Sequence, residues 1–147
     1  MRILVDADGC PRTVLTTTLR LGARFKVPVW TVANFNHDIQ SDHHIAVEDD
    51  PQAVDLKIVS EAQPGDLVIT GDGGLAAMLL GNRVRCIHPS GYEYSDSTID
   101  SLLEERELKA RFRRSGGRTR GPKKRVPQED IRFEETLCSI LQESSVS

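Results

Sequence analysis

The chain has 147 residues, 38% of them hydrophobic, and a net charge of −3. That is enough for one domain with a real core, and no apolar run nears the roughly 20 residues of a membrane span. Three cysteines, Cys10, Cys86 and Cys138, form an odd set without metal-type spacing, which argues against a disulfide framework or zinc site and for reduced thiols in a cytoplasmic protein.

Apolar runs alternate with helical patterns along the chain. Residues 2–5 read as a buried strand that starts at once, with no basic region leading into an apolar stretch, so no signal peptide is expected. A helix over 11–25 carries Val14, Leu15, Leu19, Leu21 and Ala23 as an imperfect apolar stripe. Strands follow at 27–33, with Trp30 and nearby Phe25 expected in the core, and at 45–47. Asp49 or Asp50 can cap a helix over 51–63, in which Val54, Ile58, Val59 and Ala62 have helical spacing. Pro64-Gly65-Asp66 is a turn before a strand at 67–70. A short helix at 74–80 stops at Gly81-Asn82, and a strand follows at 84–87. A charged helix spans 96–114, a basic, mobile segment 115–127, and a last helix 128–142, with a frayed tail. Strands separated by helices of this length predict a single α/β domain. Its mainly parallel sheet is covered on both faces as a three-layer α/β/α sandwich.

The run Val5-Asp6-Ala7-Asp8-Gly9-Cys10-Pro11 places two carboxylates where the first strand ends and a helix begins. In an open α/β sheet that edge is where ligands bind. Residues two apart share a side of an extended segment, so Asp6 and Asp8 can face one space. Two unpaired carboxylates that close repel unless one is protonated or a cation lies between them. Helix capping accounts for Asp8 but not for Asp6. Asp72, in Gly71-Asp72-Gly73-Gly74, also follows a strand and precedes a helix, either as a cap or as a second acid at the same edge. Asp55 falls among Val54, Ile58 and Val59, where a charge wants a partner, unless it is an ordinary first-turn acid. Together Asp6, Asp8, Asp55 and Asp72 form an oxygen-rich set suited to Mg²⁺ or Mn²⁺, and so to metal-assisted phosphodiester hydrolysis.

These motifs, with Ala33-Asn34, the stretch Pro64 to Asp72 followed by Leu75-Ala76, His88-Pro89-Ser90-Gly91 and Arg120-Gly121-Pro122, resemble the YaiI/YqxD family, which is related to PIN-domain nucleases. The resemblance covers nearly the whole chain. It implies a PIN-like sandwich in which Asp6, Asp55 and Asp72 match the usual PIN acids and Asp8 is an added one. Gly9 stands where Ala is usual in the family, Gly73-Gly74 replaces a bulkier Ile-Pro-like pair, and residues 123–128 lack a Phe-rich segment.

Charge is unevenly distributed: residues 1–108 carry −8, 109–125 carry +9 and 126–147 carry −4. Arg111, Arg113, Arg114, Arg118, Arg120, Lys123, Lys124 and Arg125 are the candidate contacts to RNA or another nucleic acid, through salt-dependent phosphate binding; the alternative is a solvated linker. His37, His43, His44 and His88 are expected on the surface or in turns, and Cys10 packed rather than reactive. The leading expectation is a Mg²⁺- or Mn²⁺-dependent phosphodiesterase, specifically a ribonuclease. The alternatives are a non-catalytic RNA-binding or regulatory protein and a haloacid-dehalogenase-like phosphatase, suggested by Asp6-Ala7-Asp8-Gly9. Against the phosphatase, Ala76 and Ala77 stand where its last motif supplies a second Asp, and nothing after Asp8 leaves room for a flap.

Overall fold

The computed structural model describes residues 1–34, 39–118 and 124–146. Its elements in chain order are β1 (Ile3–Asp6), α1 (Arg12–Phe25), β2 (Val29–Asn34), β3 (His43–Val47), α2 (Pro51–Glu61), β4 (Leu67–Ile69), α3 (Gly73–Gly81), β5 (Arg85–Ile87), α4 (Asp96–Arg114) and α5 (Pro127–Val146). The five strands form one all-parallel sheet in the order β3-β2-β1-β4-β5. The chain winds outward from β1 through β2 to β3, then returns to the other side of β1 for β4 and β5. The winding reverses between β1 and β4, and a crevice opens there at the carboxyl ends of the strands.

Strand alternation sorts the core into two layers. Ile3, Val5, Val29, Leu67, Ile69 and Ile87 point to one face and pack against α1 and α5. On α5, Phe133, Leu137, Ile140 and Leu141 are buried at helical spacing; on α1, Val14, Thr18 and Leu21 are buried. Leu4, Val32, Val68 and Cys86 point to the other face, against Val54 and Ile58 of α2 and Leu75 and Leu79 of α3. With α4 laid on α3, this completes the three-layer sandwich expected from the sequence.

The differences from the sequence reading are at element ends. β1 extends through Asp6, which pairs in register with Val32. β3 begins at His43 rather than Ile45 because the edge strand follows β2 along its whole length. α2 stops at Glu61, where the backbone N–H of Gln63 turns to donate to buried Asp66 (3.0 Å). α5 continues through Val146 instead of ending at Gln142, and in that added turn Glu143 accepts from Arg85 of β5 (3.2 Å) while the Ser144 hydroxyl donates to the Ile140 carbonyl (3.2 Å). Trp30 is half-buried, not sealed in the core, with the Arg2 guanidinium 4.4 Å from its ring centre and His43 at 4.1 Å. Phe25 is likewise half-buried against the core. The segment expected to be mobile opens with an ordered stop. Gly116 takes φ +95°, its N–H donates to the Arg113 carbonyl and the Gly117 N–H to that of Phe112, a Schellman-type end.

Candidate active site

The parallel register that pairs Val5 with Ile69 carries the next residues, Asp6 and Thr70, to the same level at the carboxyl edge. The Thr70 hydroxyl donates to Asp6 Oδ2 (2.8 Å), and its oxygen accepts the Asp72 backbone N–H (3.0 Å). One buried threonine thus positions the first acid and the backbone of another. The Tyr94 hydroxyl donates to the Thr70 carbonyl (3.0 Å), fixing the level from the far side. Sequence reading missed Thr70; its signal was its place directly after a strand, visible only once β1 and β4 are known to be neighbours.

Asp72 caps α3: its Oδ1 accepts from the N–H groups of Gly74 (2.9 Å) and Leu75 (3.3 Å). The capping and functional readings of Asp72 therefore do not exclude each other. Asp8 is held by Asn34, whose backbone N–H lies 3.1 Å and whose Nδ2 lies 3.3 Å from its carboxylate. Asn34 is a second residue that sequence reasoning used only as a family mark. Asp50, not Asp49, caps α2 through the Gln52 N–H (2.9 Å).

Asp6, Asp8, Asp55 and Asp72 all line one cleft of about 320 Å³, with Asn34 and Asp50 on its rim. Burial pushes the Asp6 carboxyl up, with Asp72 and Asp8 adding to the shift against the Thr70 hydrogen bond. Asp55 is pushed up to about 6 by burial, by the Asp72 and Asp6 charges, and by a hydrogen bond to Asp72. The four acids are thus brought together, as expected, and repel one another.

The donor set is all oxygen and suits Mg²⁺ or Mn²⁺. The Asp72 and Asp6 charges that help to raise Asp55 are the charges a cation would neutralise. Among the described residues, no three His, Cys, Asp or Glu groups are spaced to hold an ion as they stand. Loading would therefore require the acids to draw closer around the ion.

Cys10 is packed as expected, its thiol pushed up to about 12 by burial and by the Asp6 charge. His43 is exposed and His44 half-buried, its Nδ1 2.7 Å from the Thr31 hydroxyl. His88 sits in a turn beside Gly71, half-buried. Its Nδ1 accepts the Ser90 N–H (2.9 Å), so the neutral ring carries its proton on Nε2, and burial lowers its pKa. His37 lies outside the described residues. Only residues 7–11 separate β1 from α1, leaving no space for a phosphatase-type hairpin flap.

The basic set is divided by the structure. Arg111, Arg113 and Arg114 form the last turn of α4, with Arg111 bonded to Glu107 (2.7 Å). Arg118 and Lys124 are exposed, whereas Arg120 and Lys123 lie outside the described residues. Arg125 is half-buried and committed elsewhere: it donates to Asp130 (2.6 Å) and to the Pro89 carbonyl (3.0 Å). No described helix is long and apolar enough to cross a membrane.

A family model described as "Uncharacterized BCR, YaiI/YqxD family" matches residues 4–143. A UPF0178 protein of Heliobacterium modesticaldum is 59% identical, over 97% of this chain and 98% of its own length. UPF0178 proteins of Clostridium tetani and Clostridium novyi are 41% and 40% identical, each over 96% of this chain and 97% and 95% of their own lengths. No solved structure matches.

Proposed function

The chain belongs to the YaiI/YqxD family, and from its acidic cleft we propose a divalent-metal-dependent phosphodiesterase, specifically a PIN-like ribonuclease. The observation that carries this reading is the Asp55–Asp72 contact at the β1/β4 switch point, with Asp6 at its side. Like charges held this close cost stability, and a site built from them makes sense if a cation normally relieves them.

Asp6, Asp72 and Asp55 would hold Mg²⁺ or Mn²⁺, with Asp8 direct or through water. The ion supplies charge neutralisation at a phosphoryl oxygen and a bound water of lowered pKa. Thr70 and the α3 N-terminus fix the orientation of Asp6 and Asp72. Asn34 aims Asp8 across the cleft, where it can orient an attacking water. Without the ion Asp55 is raised to about 6, so its coordination would release a proton near neutral pH. Arg113, Arg114 and Lys124 would take flanking phosphates, drawing the polyanion to an acidic body.

A non-catalytic RNA-binding role is the second reading, favoured by the lack of three preset ligands among the described residues. Cleavage of single-stranded RNA with Mn²⁺, comparing wild type with identically prepared Asp6→Asn, separates the two. Cleavage by wild type alone supports the enzyme; equal residual cleavage means contamination and leaves the binding role.

A further inference from the structure

A second depression, of about 450 Å³, borders Asp72 and is lined by none of Asp6, Asp8 and Asp55. One wall is the turn carrying His88 and Tyr92; the other is α4, with Leu102, Leu103, Arg106 and Lys109. Unlike the acidic cleft, this depression has aromatic, apolar and cationic side chains in its walls. Two cations three residues apart share a face of α4. Lys109 is paired with Glu105 (2.9 Å), while Arg106 makes no ion pair or hydrogen bond among the described residues. The groove thus carries a cation on its α4 wall, facing the acid Asp72 at its border with the acidic cleft.

The aromatic floor is set in advance. The Tyr92 ring stacks on His88 (4.6 Å between centres, 11° between planes) and meets the edge of Tyr94 at 5.3 Å. Tyr94 is in turn bonded to Thr70, the residue that positions Asp6. Tyr92 nevertheless stays 36% exposed, and Leu103 across the groove 51% exposed. A fixed, partly open aromatic ring, leucines and an unpaired arginine together match a flat apolar ring joined to a phosphate. Base–aromatic stacking of this kind tolerates any base, and Arg supplies the phosphate contact.

We propose that this groove seats the base of one unpaired nucleotide of a single-stranded nucleic acid, flanking the phosphodiester at the acidic cleft. This rests on reading that cleft as a phosphodiester site. Tyr92 and the leucines hold the base, Arg106 and Lys109 the nucleotide's own phosphate, and Asp72 marks the boundary between the two sites. Gly71 keeps the passage open: a Cβ there would already touch Pro89 Cδ at 3.9 Å and His88 Nε2 at 4.0 Å, and a longer side chain would fill the gap.

The test is an NMR titration of the full chain, without metal, using adenosine 5′-monophosphate and ribose 5-phosphate as probes. The nucleotide should shift Tyr92, Leu102 and Leu103 signals and bind about tenfold more tightly than the sugar phosphate, the size of one base–aromatic stack. Tyr92→Ala should erase that preference and Tyr92→Phe keep it. Leu103→Ser, uncharged and at an exposed position that does not endanger folding, should weaken the nucleotide alone. Equal binding of both probes, or a preference untouched by Tyr92→Ala and Leu103→Ser, overturns the groove. Mn²⁺ broadening of Asp6 and Asp72 signals reads the acidic cleft separately: its absence beside an intact nucleotide preference sinks the metal reading and leaves the groove standing.

Discussion

Asp55 on α2 faces Asp72 at the start of α3 across the cleft at the switch point, and burial with the Asp72 and Asp6 charges raises the Asp55 carboxyl. Its titration has a sign. Asp55 is raised from 3.8 to about 6 in the folded chain, so between those pH values the native state binds the extra proton. The stability from this contact is full below pH about 4 and is lost as pH rises through about 6. Asp55→Asn should therefore stabilise the metal-free protein at pH 7.5 by about 1 kcal/mol, after discounting for solvent screening. It should change little at pH 4. Melting curves of both proteins at the two pH values check this, and an equal difference at both would refute it.

Cation binding should release this proton. Mn²⁺ should bind more tightly at pH 7.5 than at pH 5, because below about 6 it competes with the proton on Asp55. Calorimetry in two buffers of different ionisation enthalpy reads the release directly. Buffer-independent heat would show that no proton leaves Asp55.

Asp72 has two roles that substitutions can separate. Asn preserves helix capping, whereas Ala loses both the Gly74 and Leu75 hydrogen bonds. Asp72→Ala should melt below Asp72→Asn by about 1 kcal/mol of stability. Both should lose RNA cleavage alike. Asp6→Asn should also abolish most cleavage, and the Asp6→Asn/Asp72→Asn pair should be little worse than either alone, because the acids would act through one ion. Additive losses in single-turnover assays would argue for independent roles.

The basic residues should split into two classes. Replacing Arg113, Arg114 and Lys124 with Ala should weaken RNA binding and flatten its salt dependence by up to about three counterions, without lowering the melting temperature. Arg125→Ala should instead destabilise the fold by about 1–2 kcal/mol, as it leaves Asp130 and the Pro89 carbonyl without its hydrogen bonds. A salt series and a melting curve for each variant distinguish these outcomes.

The fold was legible because each element carries its own signal: β-branched runs for strands, Asp50 with Pro51 and Asp72 with Gly73 for helix starts. Asp6, Asp8 and Asp72 were legible because they follow strands, and Asp55 because it sits among apolar positions of a helix. What could not be read was anything that depends on which strands are neighbours. Thr70 became a partner of Asp6 only through the β1–β4 register, and Asn34 a partner of Asp8 only through β1–β2. The fate of Arg125 was hidden for a related reason. Composition placed it with its basic neighbours, while the fold lays it against a turn 36 residues earlier.

That turn is held by the last helix. At Gly91, φ is +107°, and an added Cβ would come within 2.6 Å of Arg132 Cβ and 2.7 Å of the Phe133 backbone nitrogen. The Thr136 hydroxyl donates to the Gly91 carbonyl at 2.6 Å. A residue of α5 45 positions later thus fixes the turn that carries His88 and Tyr92, so a helix that supplies no acid to the cleft holds one wall of the depression beside Asp72. Thr136→Val should loosen that turn while leaving the Thr70–Asp6 hydrogen bond in place.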